Sequence, residues 1–173
     1  MNFMFKDFVL FNYESIMAYN LVIEIVNTKI YNKISDLKNA KQPIIFKGDF
    51  DTIRKLAEQK KIQYVVDLED NEFKDNLNFA NSGFNQVIAK IFAKNNIKVC
   101  FNFNLVLNSN SFERSKILRR MMQNVKLCRK YKVKMLINSF AKNEYELRSR
   151  DALKSFGLVI GMNSREVIEA TNL

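Results

Sequence analysis

Residues 97–140 read IKVCFNFNLVLNSNSFERSKILRRMMQNVKLCRKYKVKMLINSF, and their pattern decides the fold. The two ends, IKVCFNF (97–103) and VKMLINSF (133–140), are nearly continuous apolar runs. Such runs suit parallel strands that are covered on both faces. Between them, SFERSKILRRMMQNVKLCRKYK (111–132) has helical periodicity. Leu118, Met121, Met122, Val125 and Cys128 share one stripe, with Ile117 at its edge, while Lys116, Arg119, Arg120, Gln123, Lys126 and Lys130 occupy the other side. A strand, a long amphipathic helix and a second strand make a crossover unit, which places the two strands parallel in one sheet.

The same alternation extends towards the N-terminus. Strands are predicted at DFVLFN (7–12), LVIEIVN (21–27), PIIFKG (43–48) and QYVVDLE (63–69). Helical patterns fall at 51–61 and 84–94, with a short piece near 14–19 and a weak one near 32–40. Two more, 149–160 and 163–170, close the chain around Gly161. Asp49 or Asp51, Ser82, Ser111 and Asn163 or Ser164 are the expected N-caps. Four glycines and one proline are too few for an all-β sandwich, which needs frequent tight turns. The expected fold is therefore α/β: a small TIM-like βα barrel of parallel strands, complete or incomplete, forming a single domain over 1–173. An open doubly wound sheet is the alternative, but no strand is followed by a glycine-rich phosphate loop. The Asn-rich segment 70–82, DNEFKDNLNFANS, is the expected exposed loop.

Composition narrows the chemistry. At 47% hydrophobic residues the chain buries a core, and a net charge of +10 points to a polyanion or an acidic partner. Histidine is absent, which excludes Ser-His and Cys-His nucleophile pairs and the usual zinc hydrolase ligand sets. Cys100 and Cys128 lack CxxC partners and read as buried free thiols of a reducing compartment. The start, MNFMFKDFVLF, is no convincing signal peptide, and no apolar run approaches the roughly 20 residues of a membrane span. A cytoplasmic protein with no membrane partner is expected.

Eight of the 22 residues in 111–132 are Lys or Arg, and Glu113 is the only acid among them. A solvated face is the ordinary reading of such a strip; against it, exposed helices ordinarily mix both signs. Lys142, Arg148, Arg150 and Lys154 follow the last strand, and Arg165 starts the terminal helix. Lys47, Asn102, Asn104 and Asn138 stand at predicted strand ends, the rim where βα folds gather sites. Capping and turn formation is the ordinary work of the three Asn residues. Asp67, Glu69 and Glu24 are too few and too surrounded by cations and amides for a carboxylate-metal site, so no catalytic or metal residue is assigned. The phenylalanines lie at core spacing, not in a base-stacking pattern.

From FNFNLVLNSNSFERSKILRRMM through LCRKYKVKMLINSFA, ELRSRDAL and FGLVIGM, the C-terminal part resembles the archaeal ribonuclease P protein component 3 family. Relatives tend to carry Ser-Ser-Gly-Ala where this chain has Asn138, Ser139, Phe140 and Ala141, and a proline is missing around Ser149 and Arg150. The resemblance implies a βα barrel and a noncatalytic subunit of a ribonucleoprotein enzyme. In that enzyme the RNA removes the 5′ leader of precursor tRNA with magnesium ions, and the protein binds no cofactor of its own. The implied partners are the ribonuclease P RNA, protein component 2 in a heterotetramer, other protein subunits, and precursor tRNA. The fold is related to histidine-rich metal phosphoesterases, and the histidine-free sequence independently argues against their chemistry. On this reading Arg114, Arg119, Arg120, Lys126, Lys142, Arg148, Arg150, Lys47 and Arg165 are the expected RNA-binding residues. Three alternatives remain: an RNA-binding assembly factor outside ribonuclease P, a divergent carboxylate-metal barrel hydrolase, and a small-molecule barrel enzyme lacking any placeable acid–base pair.

Overall fold

A computed structural model describes residues 5–10 and 23–172. The strand ends expected at 11–12 and 21–22, the helical piece at 14–19 and the Glu24 side chain lie outside the described residues. The described residues form strands β1 (Phe5–Val9), β2 (Ile23–Asn27), β3 (Ile30–Tyr31), β4 (Ile45–Phe46), β5 (Tyr64–Val66), β6 (Lys98–Asn102) and β7 (Met135–Asn138). They also form helices α1 (Phe50–Glu58), α2 (Gln86–Asn95), α3 (Phe103–Leu107), α4 (Ser111–Tyr131), α5 (Arg150–Val159) and α6 (Ser164–Ala170). A 3₁₀ turn at Ile34–Asn39 replaces the weak helix expected there.

Every ladder is parallel. β3, β4, β5, β6 and β7 lie side by side in that order, and β1 pairs with β2. Two features join these sheets into a barrel. Only Thr28 and Lys29 separate β2 from β3, so one stretch of chain pairs first with β1 and then with β4. Past β7, Phe140 N donates to Phe8 O and Leu10 N to Ala141 O, both at 2.9 Å, which ties the last strand to the first. Asp7 fastens the same seam: its buried carboxylate accepts from Ser139 N at 2.7 Å and from Ser139 Oγ.

Strand alternation sorts the core into two layers. Phe8, Ile45, Val66, Cys100 and Leu136 fill the barrel, topped by Phe140. The residues between them, Phe46, Val65, Val99, Phe101 and Ile137, face the helices and pack with Ile53, Leu56, Ile88, Phe92, Met121, Val125, Leu153 and Phe156. This double burial is why the strands read as unbroken apolar runs. Gly157 lets α5 press against the sheet, since a Cβ there would sit 2.6 Å from Ile137 Cδ1. Both cysteines are buried and free. No helix among the described residues is long and apolar enough to cross a membrane.

The caps follow short polar side chains, at positions shifted slightly from those expected. Asp49 caps α1 and Asn163 caps α6 with a full capping box. Asn85 caps α2 in place of Ser82, and Asn110 caps α4 in place of Ser111. Ser82 instead accepts from Phe84 N and donates to Asn124 Oδ1.

Candidate nucleic-acid interface

At the C-terminal ends of the strands the barrel opens into a cavity of about 340 Å³, lined in part by Lys47, Asp67, Asn102, Asn104 and Lys142. Asp67 breaks the alternation of β5 with φ +56°, a left-handed conformation uncommon in a non-glycine residue. Its carboxylate accepts from Asn102 Nδ2 at 2.8 Å and from Lys47 Nζ at 3.2 Å. Lys47 also meets Asp70 at 2.6 Å. Partial burial lowers the pKa of Lys47, but the two aspartates outweigh it and hold the ammonium charged. The amides serve the scaffold: Asn102 Oδ1 caps α3, and Asn104 Nδ2 donates to Phe140 O.

The carboxylates do not converge on a reacting centre. Asp67 is engaged by Lys47 and Asn102, whereas buried Glu69 accepts from Asn124 Nδ2 on α4 at 2.6 Å. Burial pushes Glu69 up to about 7, partly countered by the Asn124 bond. Burial likewise raises Asp7 to about 6 against the pull of its Ser139 hydrogen bonds. Among the described residues no group of three or more Asp, Glu, Cys or His is placed to hold a metal ion.

The expected RNA-binding residues divide sharply, and one of them requires correction. Arg120 is fully buried. Its Nη1 donates to Glu69 O at 2.8 Å and Asn71 O at 2.9 Å, its Nε to Asp75 Oδ1 at 2.9 Å, and its Nη2 to Phe73 O. The guanidinium therefore ties the 69–75 loop down onto α4 and presents nothing to a ligand. Helical projection had placed it outside because the projection cannot see that this loop covers the flank of α4. The same loop buries Asn124, and Met122, expected in the stripe, is 39% exposed instead.

Arg119 is exposed and holds the loop tip, donating to Asn76 O at 2.6 Å and Leu77 O at 2.7 Å. Arg114, also exposed, spends its guanidinium on Val106 O, Leu107 O and Ser109 O behind α3. Arg148 is half-buried, donates to Tyr145 O and Leu147 O, and lies 5.4 Å from the Phe103 ring centre. Arg150 bonds Asn172 and leaves a buried Nε without a partner. Arg165 pairs with Glu169 at 3.0 Å. Lys126 on α4 stands exposed with no acid paired to it, and Lys142 is exposed beside Glu146 at the barrel mouth. The structure thus brings Lys47 and Lys142 together at the mouth, sets Arg119 and Lys126 on the outer face of α4, and removes Arg120.

Residues 74–172 match the family model described as RNase P subunit p30, which is more than half of the chain. The chain belongs to the RNase P subunit p30 family. Its relatives include the ribonuclease P protein component 3 of Thermococcus kodakarensis, 34% identical over 90 residues, covering 52% of this chain and 41% of the relative. Another is that of Methanosarcina acetivorans, 27% identical over 143 residues, covering 83% of this chain and 57% of the relative. The chain spans about half the length of these relatives. Its fold is similar to a chain in the cryo-EM structure of an archaeal ribonuclease P with mature tRNA, with a TM-score of 0.65 and 20% identity. That likeness covers 86% of this chain and 64% of the other. The family match contains the whole of α4 and the 142–150 loop, whereas Lys47, Asp67 and Asp70 of the barrel mouth precede it.

Proposed function

We propose that this chain is a noncatalytic protein subunit of ribonuclease P, the ribonucleoprotein that removes the 5′ leader of precursor tRNA. It binds the catalytic RNA and supports its folding and reaction, together with protein component 2 and the other protein subunits. The magnesium ions of the reaction belong to the RNA, and the complex acts in the cytoplasm.

Membership of the RNase P subunit p30 family carries this reading. Two physical observations support it. Among the described residues, the barrel-mouth acids Asp67 and Glu69 are engaged by Lys47, Asn102 and Asn124 and not aimed together at one point. The net charge of +10 supplies the field that concentrates a polyanion. Affinity for the RNA subunit should fall steeply with salt, with a log–log slope of about −0.9 for each phosphate neutralised on a helical RNA, taking the double-stranded value as a guide. Fluorescence anisotropy over a salt series measures it. A flat salt dependence would remove the backbone-binding reading.

A further inference from the structure

The cations at the two ends of the barrel have different fates. At the C-terminal mouth Lys47 is neutralised by Asp67 and Asp70, and Arg148 is turned onto its own backbone. At the N-terminal end, Lys60 and Lys61 precede β5, Lys94 ends α2, Lys98 opens β6, and Lys132 and Lys134 precede β7. These three strands are neighbours, so all six lysines gather on one rim. None of the six forms an ion pair. The nearby acids are already committed: Glu58 to Arg54, Glu166 to Arg129 and Glu169 to Arg165.

Two details show how closely charge is gathered on this rim. Lys98 has the parity of Cys100 and Asn102, and its ammonium lies 5.2 Å from the ring centre of Tyr64, whose ring belongs to the barrel interior. Burial, and then repulsion by Lys134 just before β7, hold the Lys98 pKa below the ordinary lysine value. Lys60 and Lys132 are the left-handed residues that end α1 and α4, with φ of +55° and +59°. Glycine or asparagine is the unstrained choice there, and the equivalent position after α2 is indeed Asn96, at φ +54°. Lysine at two of the three turns adds charge where local backbone preference opposes it. A groove of about 510 Å³ opens beside Lys98, Lys132 and Lys134, with Arg129 and its partner Glu166, and Glu169, also in its wall.

We infer that this N-terminal rim, and not the C-terminal mouth where βα barrels usually place their sites, is a phosphate-binding face for the RNA backbone. The inference rests on the RNA-binding reading above and specifies its surface. Six unpaired ammoniums on one rim match a row of phosphates, and a lysine is a point charge suited to sequence-independent contact.

The test replaces Lys60→Asn, Lys132→Asn and Lys134→Gln in the full chain. Asparagine suits the left-handed turns, so the variant should melt no lower than the parent. Its affinity for the ribonuclease P RNA should drop, and its salt slope should flatten by about 2 to 3 units, one per lost phosphate contact. Lys90→Gln, at an exposed position midway along α2, serves as the control and should change the slope by less than one such unit. An unchanged slope in the triple variant, beside a parent that binds RNA, overturns the inference and leaves the function standing. A parent that binds no RNA overturns both. Inorganic phosphate, titrated against the parent, supplies the remaining arm: saturation through Lys98 and Lys134 without any change in RNA slope would make this a free-phosphate site and would also overturn it.

Discussion

Replacing Arg120 by Met should unfold more than it unbinds. The side chain is 0% exposed, and its guanidinium serves Glu69 O, Asn71 O, Phe73 O and Asp75 Oδ1. Breaking a buried ion pair from one side costs about 3–5 kcal/mol, because the remaining partner keeps its desolvation without its counter-charge. Asp75 is 14% exposed and recovers part of its hydration, so this pair alone accounts for the lower half of that range, about 3 kcal/mol. The orphaned carbonyls of Asn71 and Phe73 lie in a loop that water can reach once it lifts and add little more, whereas that of buried Glu69 pushes the cost towards the upper half of the range. Methionine fills most of the volume, which keeps the cavity contribution small. Urea denaturation followed by circular dichroism should show a lower midpoint with an unchanged slope. RNA binding, measured where the variant remains folded, should keep the parent salt slope. A variant within about 1 kcal/mol of the parent that lost one unit of salt slope would refute the reasoning and return Arg120 to the interface.

Other consequences follow from the barrel seam and core. Asp7 has its pKa raised to about 6 by burial, so between about pH 4 and 6 the folded state holds a proton that the unfolded chain releases. Stability from this group is therefore highest below pH 4 and falls by about 3 kcal/mol as pH rises through 6. The urea midpoint of Asp7→Asn should show less of this fall than the parent, and equal pH profiles would contradict it. Phe140 sits at φ +47° yet is fully buried against Phe8. Phe140→Gly, which suits the left-handed backbone, relieves about 1–2 kcal/mol of backbone strain but opens a cavity worth about 3–5. A net loss near 2 kcal/mol is expected in thermal unfolding, and a gain would show that the ring contributes nothing. Gly157→Ala should cost about 1–3 kcal/mol by forcing Ile137 aside, and an unshifted melting temperature would argue against that close approach.

The sequence made the alternation legible because each strand is buried on both faces and so reads as an apolar run. Residues 98–102 and 135–138 fall within the stretches assigned to strands, α2, α4, α5 and α6 lie within two residues of their expected bounds, and α1 ends three residues early. β3 escaped because two residues, Ile30 and Tyr31, give no period. α3 escaped because FNLVL continues the apolar run of β6, and only the Asn102 cap marks the change. The site was harder to read, since charge counts do not reveal where each charge is spent. Arg120 looked exposed on α4 until a loop some 50 residues earlier in the chain closed over it. The lysines of the N-terminal rim are scattered over residues 60–134, in pairs too short to register as a patch. Only parallel pairing of β5, β6 and β7 places them together. The positive φ at Lys60 and Lys132 could have been suspected, because each stands where a helix must stop without glycine.

The measurement that bears most directly on the central claim is precursor-tRNA cleavage by this protein alone, with the ribonuclease P RNA, and with that RNA plus protein component 2. The account predicts no cleavage by the protein alone and acceleration only where the RNA is present. Metal-dependent cleavage by the protein alone would contradict it, as would an RNA whose rate is the same with and without the protein.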